Sequence, residues 1–123
     1  MGNLRFIDLA TQEALKSTQN FKHGAVLVKN GKLVSKGYNH SSGNIQHEMW
    51  SVHAEMDAVM SSKITKRRSQ KFADCYKLYV VRVNSSGLAD SKPCIRCQKF
   101  MKRFNIARVF YSTNCQIIDD MYV

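Results

Sequence analysis

The chain has 123 residues and a mass of 14.1 kDa, which fits a single domain spanning residues 1–123 and able to bury about two-thirds of its unfolded surface. Its 19 Lys and Arg against 9 Asp and Glu give a formal charge of +10, which favours anionic partners such as nucleotides or nucleic acid, although dispersed lysines that only maintain solubility would give the same total. No apolar run approaches the roughly 20 residues of a membrane span, and no secretory leader is recognisable, so we expect no membrane association and a cytoplasmic or other reducing intracellular compartment.

The first elements of the chain are a helix and a hairpin. Apolar residues recur at three- and four-residue steps from Leu4 to Leu15, which predicts an amphipathic helix that ends near residues 17–20. Two runs rich in β-forming residues then flank Asn30 and Gly31. An Asn-Gly pair between two such runs predicts a hairpin with a type I′ turn.

The middle of the chain contains a polar segment followed by a helical one. Residues 39–52 are mostly polar and predict a surface loop, the kind of segment that often carries function. Residues from Ala54 to about Ser61 or Ile64 have good helix propensity. His53 and Glu55 are therefore expected in the first turn of a helix.

The second half of the chain alternates between strands and a helix. Residues 77–83 predict a strand that the turn residues 84–87 close, and a helix is expected from 94 to 104 because this segment lacks Gly and Pro. Residues 107–111 predict a further strand, and the last dozen residues are ambiguous. The order α-β-β-α-β-α-β predicts a layered α/β domain with a mixed sheet.

Two short motifs suggest a metal centre. His53 and Glu55 form H-x-E, and Cys94 and Cys97 form P-C-x-x-C with Pro93; this combination is the signature of zinc-dependent nucleobase deaminases. A catalytic zinc ion takes three protein ligands and keeps one position open. The candidate ligands are His53, Cys94 and Cys97, with the positive end of a helix dipole favouring the two thiolates.

Glu55 is the candidate catalytic residue. Zinc lowers the pKa of bound water toward about 7, and Glu55, two residues from a ligand, could move the protons as a general acid and base. Two other interpretations of the cysteine pair are a redox dithiol and half of a structural zinc site. Cys75 and Cys115 form no second C-x-x-C, and a redox dithiol leaves His53 and Glu55 unexplained.

These motifs, with residues 24–28 and 37–39, resemble the cytidine and deoxycytidylate deaminase superfamily, which also holds tRNA adenosine, guanine and polynucleotide cytosine deaminases. The resemblance implies a three-layer αβα cytidine deaminase-like fold with a five-stranded mixed sheet and one zinc ion per chain. It also implies a homo-oligomer. Asn39 would contact the substrate sugar, and Ala54 would also contact the substrate. The histidine of H-A-E, where small cytidine deaminases usually have cysteine, points toward the deoxycytidylate, tRNA adenosine and guanine deaminases.

Three functions are consistent with these residues. The first is hydrolytic deamination of cytosine in a free nucleoside or nucleotide, with a monophosphate favoured by the charge. The second is editing of cytosine or adenine in RNA or single-stranded DNA, with Lys66, Arg67 and Arg68 contacting the phosphates. The third is a non-catalytic subunit with a structural zinc site.

Other aromatic and histidine side chains are candidates for pocket positions. Aromatic faces can stack on a base, and the candidates for this contact are Phe21, Tyr38 and Trp50. Because three ligands already satisfy zinc, the other histidines are expected in a loop or pocket and not on the metal. These histidines are His23, His40 and His47.

Overall fold

The protein folds as three layers, with a mixed sheet between two layers of helices. A computed structural model describes residues 2–18, 21–41, 51–62, 76–104, 106–115 and 117–123. The helices are α1 (Gly2–Ala14), α2 (Ala54–Ser62) and α3 (Ile95–Arg103). The strands are β1 (Lys22–Lys29), β2 (Lys32–Tyr38), β3 (His40–Ser41), β4 (Ser51–Val52), β5 (Tyr76–Asn84), β6 (Gly87–Ala89), β7 (Ile106–Ser112) and β8 (Ile118–Tyr122). In these ranges no helix has the length and apolar character needed to cross a membrane.

The main sheet has the predicted five strands in the order β2-β1-β5-β7-β8, and the short β6 pairs with β5 as a sixth. β5 and β7 are parallel, with α3 crossing between them, and the other neighbouring pairs are antiparallel. β3 and β4 form a separate two-stranded ribbon before α2. The predicted αβα architecture with a mixed sheet is therefore confirmed.

The β1–β2 hairpin has the predicted turn. Asn30 has a φ of 53° and Gly31 a φ of 74°. A type I′ turn requires positive φ at both central residues, which Asn and Gly tolerate better than other residues. The local sequence therefore determines where the chain reverses direction between the first two strands.

Consecutive residues of a strand point to opposite sides of the sheet, and helices cover both faces of the central strands. On one face α1 covers a cluster that includes Val26, Tyr79 and Phe110. On the other face α2 and α3 cover a larger cluster that includes Leu27 and Leu78. The central strands β1 and β5 consequently contain continuous apolar runs, which are recognisable in the sequence.

The first helix is shorter than the sequence predicts. It ends at Ala14, and the amides of Lys16 and Ser17 bond to carbonyl oxygens three residues earlier, at 3.0 Å each. Leu15 is 59% exposed, so the last residue of the apolar pattern does not contribute to the core. The predicted end near residues 17–20 is wrong because a tight turn closes the helix once its buried face is complete.

Gly37 allows α2, the helix that follows His53, to lie directly on β2. A Cβ atom at this position would overlap the amide nitrogen of Ala58 and lie 2.8 Å from the carbonyl oxygen of Ala54. Both atoms belong to helix backbone, which cannot move aside as a flexible side chain can. The close approach therefore requires glycine at position 37.

Replacing Gly37 with Ala should lower the free energy of unfolding by about 1 to 3 kcal/mol, the usual cost of overpacking. Urea unfolding followed by circular dichroism would measure this change. Lys36→Ala is the matched control, because Lys36 is exposed on the same strand and its truncation should leave stability nearly unchanged. Equal stability of the two variants would contradict the close approach of α2 to β2.

Candidate active site

The predicted site lies at one edge of the sheet. The parallel strands β5 and β7 both end there, and the carboxyl ends of parallel strands are where open α/β sheets bind ligands. β1 begins at this edge, since Lys22 pairs with Val83 near the end of β5. β2 ends there, since Tyr38 pairs with Gly24. The two motifs enter this edge at the starts of α2 and α3.

The three predicted metal ligands meet at the starts of these helices. His53 directly precedes α2, Cys94 is the N-cap residue of α3, and Cys97 lies in the first turn of α3. Their ligand atoms all lie within 4.8 Å of one another, and His53 Nδ1 is 3.1 Å from Cys97 Sγ. In the described parts of the chain, no other group of His, Cys, Asp and Glu side chains is arranged in this way.

The donor set and its spacing fit a zinc ion. Zinc–sulfur bonds of about 2.3 Å and zinc–nitrogen bonds of about 2.0 Å form a tetrahedral centre, so ligand atoms less than 4.8 Å apart can reach one ion with small side-chain movements. One imidazole and two thiolates leave the fourth position open. His53, Cys94 and Cys97 are therefore positioned to bind one metal ion.

The Cys97 thiol is buried in the core beneath α3. It is 0% exposed, and this burial, with smaller contributions from Glu55 and Cys94, raises the pKa of the Cys97 thiol. A bound cation would counter this effect, because the thiolate is the form that binds zinc.

Glu55 is a buried carboxyl group next to the metal ligands. Its side chain is only 5% exposed, and burial raises the pKa of Glu55, while His53 and a hydrogen bond with Cys97 lower it to a smaller extent. Glu55 does not belong to the group of ligand atoms around His53. The carboxyl is therefore available for proton transfer, and its protonated form is favoured relative to a carboxyl in water.

A cavity of about 340 Å³ opens onto these groups. This volume lies within the range of small-molecule sites and suits a ligand the size of a nucleoside. The side of the cavity at the motifs is formed by His53, Ala54, Glu55 and Cys94. The remaining lining residues are Phe21, His23, Asn39, Ser91 and Lys92.

Asn39 connects the end of β2 to the start of β1 beside this cavity. Its Oδ1 accepts a hydrogen bond from the His23 amide at 2.9 Å, and its Nδ2 donates to the Phe21 carbonyl oxygen at 2.5 Å. Because backbone groups fix these roles, the orientation of the amide is determined. Among the described residues these two bonds leave one N–H and one oxygen lone pair of Asn39 for a ligand, and the side chain is 6% exposed.

Asp57 positions the end of β2 against α2. Its Oδ2 accepts a hydrogen bond from the Tyr38 amide at 3.1 Å, and its Oδ1 lies 3.3 Å from His40 Nε2. Asp57 is two residues after Glu55 on α2, and Asn39 directly follows Tyr38. This contact therefore also fixes the position of Asn39 relative to Glu55. Asp57 is not among the residues predicted from the sequence, although an acidic residue in the first turn after H-x-E is a detectable signal.

Two cationic side chains, Arg82 and Lys92, lie at or beside the mouth of the cavity. Arg82 pairs with the lining residue His23 across β1 and β5, and its guanidinium lies 4.4 Å from the centre of the Phe21 ring. Arg82 Nε is buried, with no hydrogen-bond partner in the described ranges. Burial, with a smaller contribution from Arg82, lowers the pKa of His23. Lys92 is exposed and lines the same cavity.

The structure brings most of the predicted site residues to one cavity. Asn39, Ala54 and Glu55 line it together with two of the ligands, and His23 lies in the pocket as expected. His40 instead contacts Asp57. Several other candidates lie outside the described residues, namely His47, Trp50, Lys66, Arg67 and Arg68. Ser91 and Lys92 also line the cavity without having been predicted from the sequence, although their position just before Pro93 indicates a place near the metal.

Several solved structures with similar folds are deaminases. A cytidine deaminase from Burkholderia pseudomallei is 21% identical, with a TM-score of 0.73 over 99% of this chain and 93% of that chain. A dCMP deaminase from the cyanophage S-TIM5 is 21% identical, with a TM-score of 0.67 over 89% of this chain and 81% of that chain. A cytidine deaminase from Mycobacterium leprae is 16% identical, with a TM-score of 0.64 over 98% and 93%. At these identities the similarity establishes the fold.

The sequence itself identifies the family. No curated protein matches the chain significantly. Residues 2–113, which include both motifs, match the family described as the cytidine and deoxycytidylate deaminase zinc-binding region. The chain therefore belongs to the zinc-dependent cytidine and deoxycytidylate deaminase family, whose members are hydrolases.

Proposed function

We propose that this protein deaminates cytosine hydrolytically in a free nucleoside or nucleotide, converting the base and water to uracil and ammonia. The observation that carries the proposal is the position of Glu55, a buried carboxyl at a nucleoside-sized cavity beside His53 and Cys94. A structural zinc site needs no such proton carrier.

The residues at the cavity have two separate roles in the proposed reaction, namely holding the zinc ion and transferring protons. Zinc held by His53, Cys94 and Cys97 would lower the pKa of a water molecule toward neutrality. Glu55 takes a proton from the attacking water and delivers it to the ring nitrogen of cytosine, and it then assists protonation of the departing amine. Its buried position next to the ligands supports this role.

Asn39 and Ala54 are the proposed substrate contacts. Asn39 retains one donor and one acceptor beside the cavity, and two backbone hydrogen bonds hold its amide in place. That arrangement suits a sugar hydroxyl, which donates one hydrogen bond and accepts another. Ala54 lies between His53 and Glu55 and lines the cavity, where its small side chain leaves room for the base. Phe21, which is exposed and lines the cavity, offers an aromatic face.

The substrate panel for this proposal contains cytidine, deoxycytidine and their 5′-monophosphates, assayed for ammonia release with the zinc-loaded protein. At least one of the four should be turned over. If all four remain intact while zinc is bound, the proposal of a free-nucleotide deaminase is wrong.

Within this panel we expect the monophosphates to be preferred. Lys92 lines the cavity and Arg82 pairs with the lining residue His23, so both place positive charge beside it, and the buried Nε of Arg82 lacks an acceptor in the described part of the chain. A phosphate group would supply negative charge and acceptor oxygens there. The charge of the mouth thus supports a nucleoside monophosphate more strongly than a neutral nucleoside.

Replacing Lys92 with Met should lower kcat/KM for the monophosphates by about 10-fold, the effect of losing one charge-assisted contact of about 1.4 kcal/mol, and leave the nucleosides unaffected. Lys77→Met is the matched control, because Lys77 is exposed on β5 opposite Val28, at the end away from the site. An equal effect of Lys92→Met on nucleosides and monophosphates would contradict a phosphate contact.

A second candidate function, deamination within RNA or single-stranded DNA, is favoured by the outer face of α3. This helix contains four cationic residues and no acidic one, and all four are exposed. They are Arg96, Lys99, Lys102 and Arg103. The row begins two residues after Cys94, at the cavity, so it could hold the phosphates on either side of a target nucleotide.

Charge reversal on this face separates the two candidates. Lys99→Glu with Arg103→Glu should weaken binding of a fluorescent single-stranded oligonucleotide and flatten its salt dependence by about 0.7 per lost phosphate contact. Lys32→Glu with Lys36→Glu, on the exposed side of β2, is the control. If both pairs change anisotropy equally, or if no oligonucleotide is deaminated, the nucleic-acid function is contradicted.

A further inference from the structure

Ser91 and Ser112 form a buried pair between the sheet and the segment that leads to Cys94. Ser91 is 4% exposed and Ser112 is 0% exposed, and their hydroxyl oxygens lie 2.9 Å apart. Buried hydroxyls are costly unless hydrogen-bonded. Here each hydroxyl has several partners, and these partners belong to different parts of the fold.

The Ser112 hydroxyl joins three strands. It donates to the Ala89 carbonyl oxygen, at the end of β6, at 2.6 Å and accepts from the Arg82 amide of β5 at 3.0 Å. Ser112 itself is the last residue of β7. The single hydroxyl therefore fixes the ends of β5, β6 and β7 relative to one another at the site edge.

Ser91 continues this connection toward the metal ligands. Its hydroxyl lies 3.0 Å from the Val80 carbonyl oxygen and accepts from the Ser112 amide at 2.8 Å. Its own amide donates to the Ser112 carbonyl oxygen at 2.9 Å. Ser91 lines the cavity and is separated from Cys94 only by Lys92 and Pro93.

The two cysteines differ in how strongly the rest of the fold holds them. Cys97 is fully buried within α3 and belongs to the core cluster, so helix packing places its sulfur atom. Cys94 is exposed and precedes the first helical residue. Gln98 Nε2 donates to the Pro93 carbonyl oxygen at 2.9 Å, which steadies the helix side of Cys94. On the N-terminal side of Cys94, the hydrogen bonds of Ser91 hold the chain to the sheet.

We propose that Ser91 and Ser112 are positioning residues for the metal site, acting through the placement of Cys94. Without their hydroxyls the segment 89–93 remains attached by its amide contacts but moves more freely against β5 and β7. Cys94 is then less often in place to complete the ligand set with His53 and Cys97. Groups that orient metal ligands typically change metal affinity by about 10- to 100-fold.

The test is zinc affinity of Ser91→Ala, Ser112→Ala and the double variant, measured by competition with a chromophoric chelator at a temperature where each metal-free protein remains folded. We expect zinc to dissociate about 10 to 100 times more readily from each single variant. The double variant should lose less than the product of the two single effects, because the hydroxyls act as one unit.

Cobalt substitution provides a readout that a purely structural role would leave unchanged. The thiolate-to-cobalt absorption band should weaken in Ser91→Ala if Cys94 leaves the ligand set. Thr11→Val is the control, because the Thr11 hydroxyl donates to the Ile7 carbonyl oxygen at 2.9 Å within α1, on the other face of the sheet. That variant should lose some stability and keep both zinc affinity and the cobalt spectrum.

Two results would overturn the proposal. One is zinc affinity within threefold of the parent protein in the folded serine variants. The other is a loss of affinity in Thr11→Val equal to that in Ser91→Ala, which would trace the effect to general stability. If Ser112→Ala does not fold, the zinc affinity of Ser91→Ala alone tests the proposal. In that variant the backbone amide of residue 91 still donates its hydrogen bond to the Ser112 carbonyl oxygen.

Discussion

Replacing Glu55 with Gln should lower kcat for the preferred substrate by about 10²- to 10⁴-fold, the usual contribution of a general acid and base. Gln has nearly the same shape as Glu but cannot take up or release a proton near neutral pH. The side chain is 5% exposed and adjoins His53 and Cys97, so the change removes the proton carrier without opening the site. Steady-state kinetics of ammonia release would measure the loss.

The same variant should keep its zinc, because Glu55 is not one of the grouped ligand atoms. Metal analysis after gel filtration should give one zinc ion per chain in both proteins. Glu13→Gln is the matched control. Glu13 is also 5% exposed, but it lies on α1 and pairs with Lys16, so turnover should be unchanged.

Each outcome of this comparison has a distinct meaning. If Glu55→Gln turns over substrate as fast as Glu13→Gln, Glu55 does not carry the proton. If Glu55→Gln loses zinc together with activity, the carboxyl supports the metal site and the proposed division of roles is wrong. If the parent protein binds zinc but deaminates nothing, the non-catalytic subunit becomes the better interpretation.

The central strands and the metal ligands could be predicted because their signals are local. The apolar runs of β1 and β5 are buried on both faces, and such runs can be recognised without knowing the partner strands. The cysteine pair needed only the start of a helix to bring its two side chains near each other. Only the placement of His53 beside Cys97 required the fold.

The short strands were missed because two or three residues carry no recognisable periodicity. Gly87–Ala89 forms β6 only because the turn residues before it fold the chain back onto β5, where Arg82 pairs with Ala89. The strand at 118–122 contains two adjacent acidic residues, which β-propensity disfavours. It is stabilised across the sheet by Arg108, whose Nε donates to Asp120 Oδ2 at 2.8 Å.

The cavity mouth could not be predicted because cross-strand register creates it. His23 and Arg82 are 59 positions apart and become neighbours only through the pairing of β1 with β5. The buried serine pair depends in the same way on the end of β7 meeting the segment before Pro93. The sequence thus predicts the chemistry of the metal centre, while the substrate contacts depend on which strand ends come together.

Replacing Cys97 with Ala should abolish both zinc binding and turnover. The change removes one of three ligands from a site whose sulfur and nitrogen atoms lie within 4.8 Å of one another. Even groups that only orient a ligand contribute about 10- to 100-fold to metal affinity, so loss of a ligand should weaken zinc binding by at least about 100-fold. Chelator competition would measure the affinity, and ammonia release the activity.

Cys115→Ala is the matched control, because Cys115 is an exposed free cysteine that does not belong to the metal group. It should retain zinc and turnover. His53→Ala and Cys94→Ala should behave like Cys97→Ala, since each removes one ligand of the same ion. A redox dithiol predicts a different pattern, in which Cys94→Ala and Cys97→Ala lose function but His53→Ala does not. Retention of stoichiometric zinc by His53→Ala would therefore exclude the three-ligand site, whatever the activity of the variant.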